Sequence, residues 1–139
     1  MPPFHFHIPI QVRYGDLDPQ WHVNNAHTLT FIEQARFAYL RALDLWDGKS
    51  FLDLPLIVAD VHIAYLAPVY YDMELKVGVC ISRIGTRSMT FEYQVEDAAG
   101  QVVTKGETVM VYYDYHTHAS SPVPPEWRQK ISEFEGRPL

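Results

Sequence analysis

One stretch of this chain has a helical period, and nearly everything on either side of it alternates. In "NNAHTLTFIEQARFAYLRALDLW", Leu29, Ile32, Ala35, Tyr39 and Leu43 recur at helical spacing, and Phe31 and Leu40 widen the stripe. Asn24 or Asn25 suits the N-cap, and Gly48 predicts the stop. No second long helix is visible. Residues 4–14, "FHFHIPIQVRY", put Phe4, Phe6, Ile8, Ile10, Val12 and Tyr14 on one strand face, and Pro9 marks that strand as an edge or irregular. Four more strand-like runs follow the helix, over residues 56–66, 73–84, 88–97 and 101–114. The last three are joined by short turns at Gly85 and "AAG", as in a meander. A sheet with one long helix must bury that helix against one face. The expected class is therefore α+β, a curved five-stranded antiparallel sheet wrapped round a long central helix. One domain is expected over residues 1–139, with its core at about 8–114 and a tail at 115–139. Within the tail, Trp127, Ile131 and Phe134 have the spacing of a short amphipathic helix.

The connection between the first strand and the helix is overfurnished. "DLDPQWHVNN", Asp16 to Asn25, carries two acids, a histidine and two asparagines where a turn needs one or two such residues. A carboxylate here can act as base or nucleophile, and a helix start offers free N–H groups that can stabilise an oxyanion. An acid beside a helix N-terminus thus suits acyl transfer; capping and turn formation are the simpler account. His22 can shuttle protons or orient Asp18. Trp21 can line an apolar channel or pack on the helix. Capping explains one of Asn24 and Asn25, not both. Glu33, inside the helix, is a second candidate acid, although an intrahelical pair with Arg36 or a neighbour is the simpler account. Arg83, Arg87 and Ser88 surround a tight turn, where two arginines can hold phosphates by forked hydrogen bonds.

Composition narrows the alternatives. The net charge of −6 argues against general nucleic-acid binding. No apolar run approaches membrane-spanning length, and "MPPFHFHIPI" lacks the marks of a signal peptide. The single cysteine, Cys80, cannot close an internal disulfide, which fits a reducing, cytoplasmic setting. His5 with His7, and His116 with His118, alternate as metal-binding pairs do, but nothing supplies further ligands, so no metal is expected. Serine-hydrolase, P-loop and dinucleotide motifs are absent.

The stretch "VRYGDLDPQWHVNNAHTLTFIEQAR" resembles the signature of the hotdog-fold acyl-CoA thioesterases of the 4-hydroxybenzoyl-CoA thioesterase type. D-x-D, H-V-N-N and a helical acid followed by A-R stand in register, and the likeness continues to about residue 114. The resemblance implies a hotdog fold, homodimers with paired sheets that often form tetramers, active sites at the subunit interface and no cofactor. It implies an acyl-CoA substrate, with Asp18 as the catalytic aspartate and the Asn25 backbone N–H polarising the thioester carbonyl. His22 matches a histidine treated as catalytic in the similar plant-type acyl-carrier-protein thioesterases. Asp16, Asn24 and Glu33 then become supports, and Arg83, Arg87 and Ser88 fall where CoA phosphates are often held. Acyl-carrier protein as substrate carrier, and a non-catalytic acyl-CoA-binding or lipid-binding dimer, are the competing readings.

Overall fold

The computed structural model describes residues 3–139. β1 (Phe6–Gln11) leads through a 3-10 turn (Tyr14–Asp16) and an irregular loop into α1 (Asn25–Ala42). A second 3-10 turn (Phe51–Asp53) precedes β2 (Leu56–Tyr65); β3 (Glu74–Ile84), β4 (Ser88–Glu96) and β5 (Val102–Asp114) form the meander. The two-residue β6 (Ala119–Ser120) pairs with the end of β5, and α2 (Pro125–Glu135) follows. The five long strands lie in the order β1-β3-β4-β5-β2, every neighbour antiparallel. This is the expected hotdog arrangement, with the short β6 as a sixth strand that alternation was too brief to reveal.

α1 buries Phe31, Ile32, Ala35, Tyr39 and Leu40 in one core with Val77, Val79, Ile81, Phe91 and Tyr93 of the sheet. Such a core holds the fold: truncating a residue like Ile32 to alanine would cost about 2–5 kcal/mol. The helix stops earlier than Gly48 predicts. Leu45 N–H donates to Leu40 O (2.9 Å) and Asp44 N–H to Arg41 O (3.1 Å), with Asp44 left-handed at φ 61°. That is a Schellman end in which aspartate takes the place glycine usually fills, and the spacing gave no hint of it. Tyr14 is also not on the strand face: β1 ends at Gln11, and Tyr14 is 75% exposed in the 3-10 turn. The tail helix forms as its spacing predicts, with Pro125 at its first turn, Gly136 left-handed at its end, and Trp127 and Ile131 buried.

Strand direction sorts the molecule into two ends. The ends of β1, β2 and β4 and the starts of β3 and β5 share one end. The start of α1 joins them, since Tyr65 Oη–H donates to Asn25 O (3.2 Å). The turn between β3 and β4, which carries Arg87, lies at the opposite end.

Candidate active site

Backbone hydrogen bonds fasten the β1–α1 connection on every side. Val12 N–H donates to Met73 O (2.9 Å), Val23 N–H to Val69 O (2.8 Å) and Asn24 N–H to Asp16 O (2.9 Å). Inside it, Asp18 N–H donates to His22 O (2.9 Å) and Trp21 N–H to Asp18 O (3.0 Å). Gln20 N–H donates to Asp18 Oδ1 (2.9 Å), which leaves Oδ2 free of hydrogen bonds among the described residues. Trp21 closes this turn in the left-handed region, at φ 64° and 66% exposed. A bulky residue held there stores strain, and such strain collects at functional sites. Trp21 does not pack on the helix; with Tyr14, Leu17 and Pro19 it borders a hollow of about 390 Å³ onto which Asp18 opens.

Asp16 has a different environment. Its side chain is fully buried. It accepts from Arg13 N (2.8 Å), from the Arg13 guanidinium (3.2 Å to Oδ1) and from His27 Nδ1 (3.0 Å). Burial pushes its carboxyl upward, but the Arg13 and His27 hydrogen bonds and the Arg13 charge outweigh that and hold it below the ordinary value. Asp16 is therefore a brace between the end of β1 and the first turn of α1. His27 escaped sequence reasoning, because nothing in its spacing signals a partner eleven residues back.

Asn24 is the N-cap, its Oδ1 accepting from Ala26 N (2.8 Å). Asn25 is the first helical residue, so its N–H has no acceptor within the helix and sits at the positive end of the dipole. Asn25, His22, Thr28, Tyr65, Leu66 and Thr104 line a cavity of about 270 Å³. The His22 ring meets Tyr70 edge-on at 5.1 Å and touches Asp18 through its backbone carbonyl rather than through the imidazole. A larger hollow of about 890 Å³ lies between Pro9–Gln11, Glu74–Lys76 and the Glu96–Gly100 turn. It holds several carboxylates and no helix start, so volume there does not coincide with acyl-transfer chemistry.

The remaining sequence candidates are not gathered here. Glu33 is exposed on α1, and Arg36 does not pair with it: Arg36 is buried and donates to Tyr93 Oη (3.2 Å). Arg83 is exposed near the end of β3, and Arg87 Nη1 donates to Ser120 O (2.8 Å) and Oγ (3.2 Å). Ser88 sits beside them, accepting from Gly85 N–H through its carbonyl (2.8 Å). β3 has eleven residues, and its length separates this turn from the Asp18 loop by roughly 30 Å. Among the described residues, no group of three or more His, Cys, Asp or Glu side chains is placed to hold a metal ion, and no helix is long and apolar enough to cross a membrane.

Residues 12–131 match the family model of the thioesterase-like superfamily, beyond residue 114 where the resemblance read from the sequence stops. A thioesterase from Thermus thermophilus, solved with coenzyme A and Zn, is similar at TM-score 0.88 and 32% identity over 100% of both chains. A predicted thioesterase from Bacillus stearothermophilus gives TM-score 0.85 and 25% identity, over 96% of this chain and 98% of its own. Long-chain acyl-CoA thioesterase FadM of Escherichia coli (strain K12) is 26% identical over 126 residues, 90% of this chain and 96% of that protein.

Proposed function

The chain belongs to the thioesterase-like superfamily and is a thioester hydrolase, and from that premise we propose that it cleaves acyl-CoA to free acid and CoA. The observation that carries this is the junction itself. A fastened turn presents one free oxygen of Asp18, seven residues before an unsatisfied N–H at the start of α1. In this reading the thioester carbonyl oxygen takes the Asn25 N–H, which stabilises the charge that develops on it. Asp18 attacks the carbonyl carbon or draws a proton from water that does so. The thiolate leaves without a strong general acid. Asp16 and Asn24 hold the geometry. Coenzyme A bound to the Thermus thermophilus relative supports the choice of CoA as carrier.

A specific observation favours a second role for His22. It lines a cavity with Asn25, whereas Asp18 lines a separate hollow with Trp21. His22 is then the proton-carrying group at the carbonyl, and Asp18 holds its loop. Two substitutions separate the readings. Asp18→Asn should lower kcat at least about 100-fold on acyl-CoA with Tm unchanged; near wild-type turnover would exclude Asp18. The same loss in His22→Ala alone would favour the second reading. Side-by-side assays of one acyl group on CoA and on carrier protein test the carrier, and binding without turnover across a chain-length panel would establish a non-catalytic dimer instead.

The proposal includes a homodimer, further paired into tetramers, in the cytoplasm. The exposed apolar residues of β2 support the dimer, and the single, buried Cys80 suits a reducing compartment. Because Arg83, Arg87 and Ser88 lie far from Asp18 in one protomer, their contact with the CoA phosphates is made across the subunit boundary. Arg83→Ala should raise KM for acyl-CoA several-fold with little change in kcat.

A further inference from the structure

The turn that carries Asp18 is a miniature hairpin. Leu17 and Val23 form an antiparallel bridge, Asp18 N–H donates to His22 O (2.9 Å), and Trp21 N–H donates back to Asp18 O (3.0 Å). Pro19, Gln20 and Trp21 are thus a three-residue hairpin loop whose last position is left-handed. Glycine fills that position by default, because a side chain there crowds the backbone. This chain has tryptophan, at φ 64°. The other non-glycine residues at positive φ among the described ones are Asp44, Asp72 and His118, types that tolerate the region far better.

Packing within the chain does not account for the indole, which is 66% exposed. Its surroundings do suggest a use. Trp21, Tyr14, Leu17 and Pro19 border the hollow of about 390 Å³ onto which Asp18 opens, a size that suits a small organic group. Beyond the Asp18 carboxylate and the Tyr14 hydroxyl, the side chains there are apolar. The cavity at Asn25 is different, because His22, Thr28, Tyr65 and Thr104 line it and all four can hydrogen-bond. A thioester has two unlike flanks. The pantetheine arm on the sulfur side carries amides that need such partners, and the acyl group on the carbon side does not. The polar cavity therefore suits the arm, and the Trp21 hollow suits the acyl group.

We propose that Trp21, with Tyr14, is the specificity-determining wall of the acyl site, its indole face lying against a flat acyl group whose carbonyl carbon stands at Asp18. The identity of this ligand rests on the proposed hydrolysis of acyl-CoA. Two aromatic faces favour a ring or a conjugated chain, which stacks on them, over a saturated one. The strained backbone at position 21 is then part of recognition, since the left-handed turn aims the indole at the hollow beside the acid. Stability and selectivity pull in opposite directions at this one residue.

Trp21→Gly reads both directions. Relief of the left-handed side chain should raise Tm by about 1–4 °C. In the same variant kcat/KM for benzoyl-CoA should fall at least about tenfold more than kcat/KM for acetyl-CoA, whose methyl group is too small to cover the indole. Trp21→Phe keeps an aromatic face on the same backbone and should lose no more than about threefold on benzoyl-CoA. A lower Tm in Trp21→Gly would make the indole a packing group and overturn the proposal. Equal losses on the two thioesters would place Trp21 against the CoA arm and overturn it too, as would a phenylalanine variant as impaired as the glycine one. Binding is read without turnover by phenacyl-CoA, a thioether that carries the ring and cannot be hydrolysed. It should quench the part of the tryptophan fluorescence that Trp21→Gly removes. Such quenching in a protein that hydrolyses no acyl-CoA defeats the substrate proposal alone. Hydrolysis without Trp21-dependent quenching defeats the role of Trp21 alone.

Discussion

The two edges of the sheet are built on opposite plans. The β1 edge is closed. Pro9 removes one donor from the middle of β1, and His5, His7 and Gln11 are exposed there. β1 covers β3 only as far as Val79, and the rest of the β3 edge is taken by the end of the chain. Glu135 Oε2 accepts from Ile81 N (3.1 Å), and Arg137 Nη2 donates to Ile81 O (3.2 Å). Among the described residues the β2 edge has no such cover along its middle; only Leu56 O, at its start, is taken by Tyr115 Oη–H (2.7 Å). Instead it carries a bulge at Ala59 and exposed branched side chains. One edge spends polar groups on finishing itself. The other is left open beside the residues that line the candidate site, through Tyr65 and Asn25. The difference teaches that β1 with α2 finishes one side of the sheet, whereas β2 is the edge left open to the proposed dimer.

The strongest attempt to break this comparison is Ile57→Lys with Val61→Lys. Charges on the open edge should leave a folded monomer with at least about tenfold less acyl-CoA turnover; circular dichroism, sedimentation and an activity assay read the three parts. A fully active monomer would disconnect β2 from the site.

At the closed edge the expected effect is on stability alone. Glu135→Ala strands the Ile81 N–H and the Tyr39 hydroxyl, which Glu135 accepts at 2.6 Å. Leaving two buried donors unpaired should cost about 2–4 kcal/mol in denaturant unfolding, with kcat unchanged while the protein stays folded. Burial, reinforced by Glu135, pushes the Tyr39 phenol far above its usual range, so that hydroxyl remains a donor throughout.

A smaller effect concerns the brace that joins β1 to α1. The Asp16 carboxyl is lowered in the folded state, so its stabilising contribution is present above the unfolded value of 3.8 and fades as pH falls through the lower folded value. Asp16→Asn should lower Tm by roughly 5–10 °C at neutral pH and reduce the difference from wild type in the most acidic melts. A constant difference down to the lowest pH would show that Asp16 is not the ionised partner of Arg13 and His27. The smallest effect belongs to Pro9→Ala, expected within about 0.5 kcal/mol of wild type and without new self-association in sedimentation.

Much of this molecule was readable in one dimension. The switch from alternation to helical period and back located α1 and the five long strands, because each period reports which face a local element must bury. Helix-start chemistry narrowed the cap to Asn24 or Asn25, since capping depends on neighbours within a turn; the structure makes Asn24 the cap and leaves Asn25 as the first helical residue. The tail helix was legible for the same reason, through Trp127 and Ile131. Non-local contacts were not legible. That Asp16 would be buried against His27, that Arg36 would turn to Tyr93 rather than pair with Glu33, and that Tyr65 would reach Asn25 all depend on strand order. So does the separation of Arg83 and Arg87 from Asp18. Residue order was enough for the elements, the junction and the kind of chemistry it suits, because propensity, capping and period act over a few residues. Packing had to settle which acid is buried and which open, which cavity His22 shares with Asn25, and which edge of the sheet stays unfinished, because those follow from how distant segments meet.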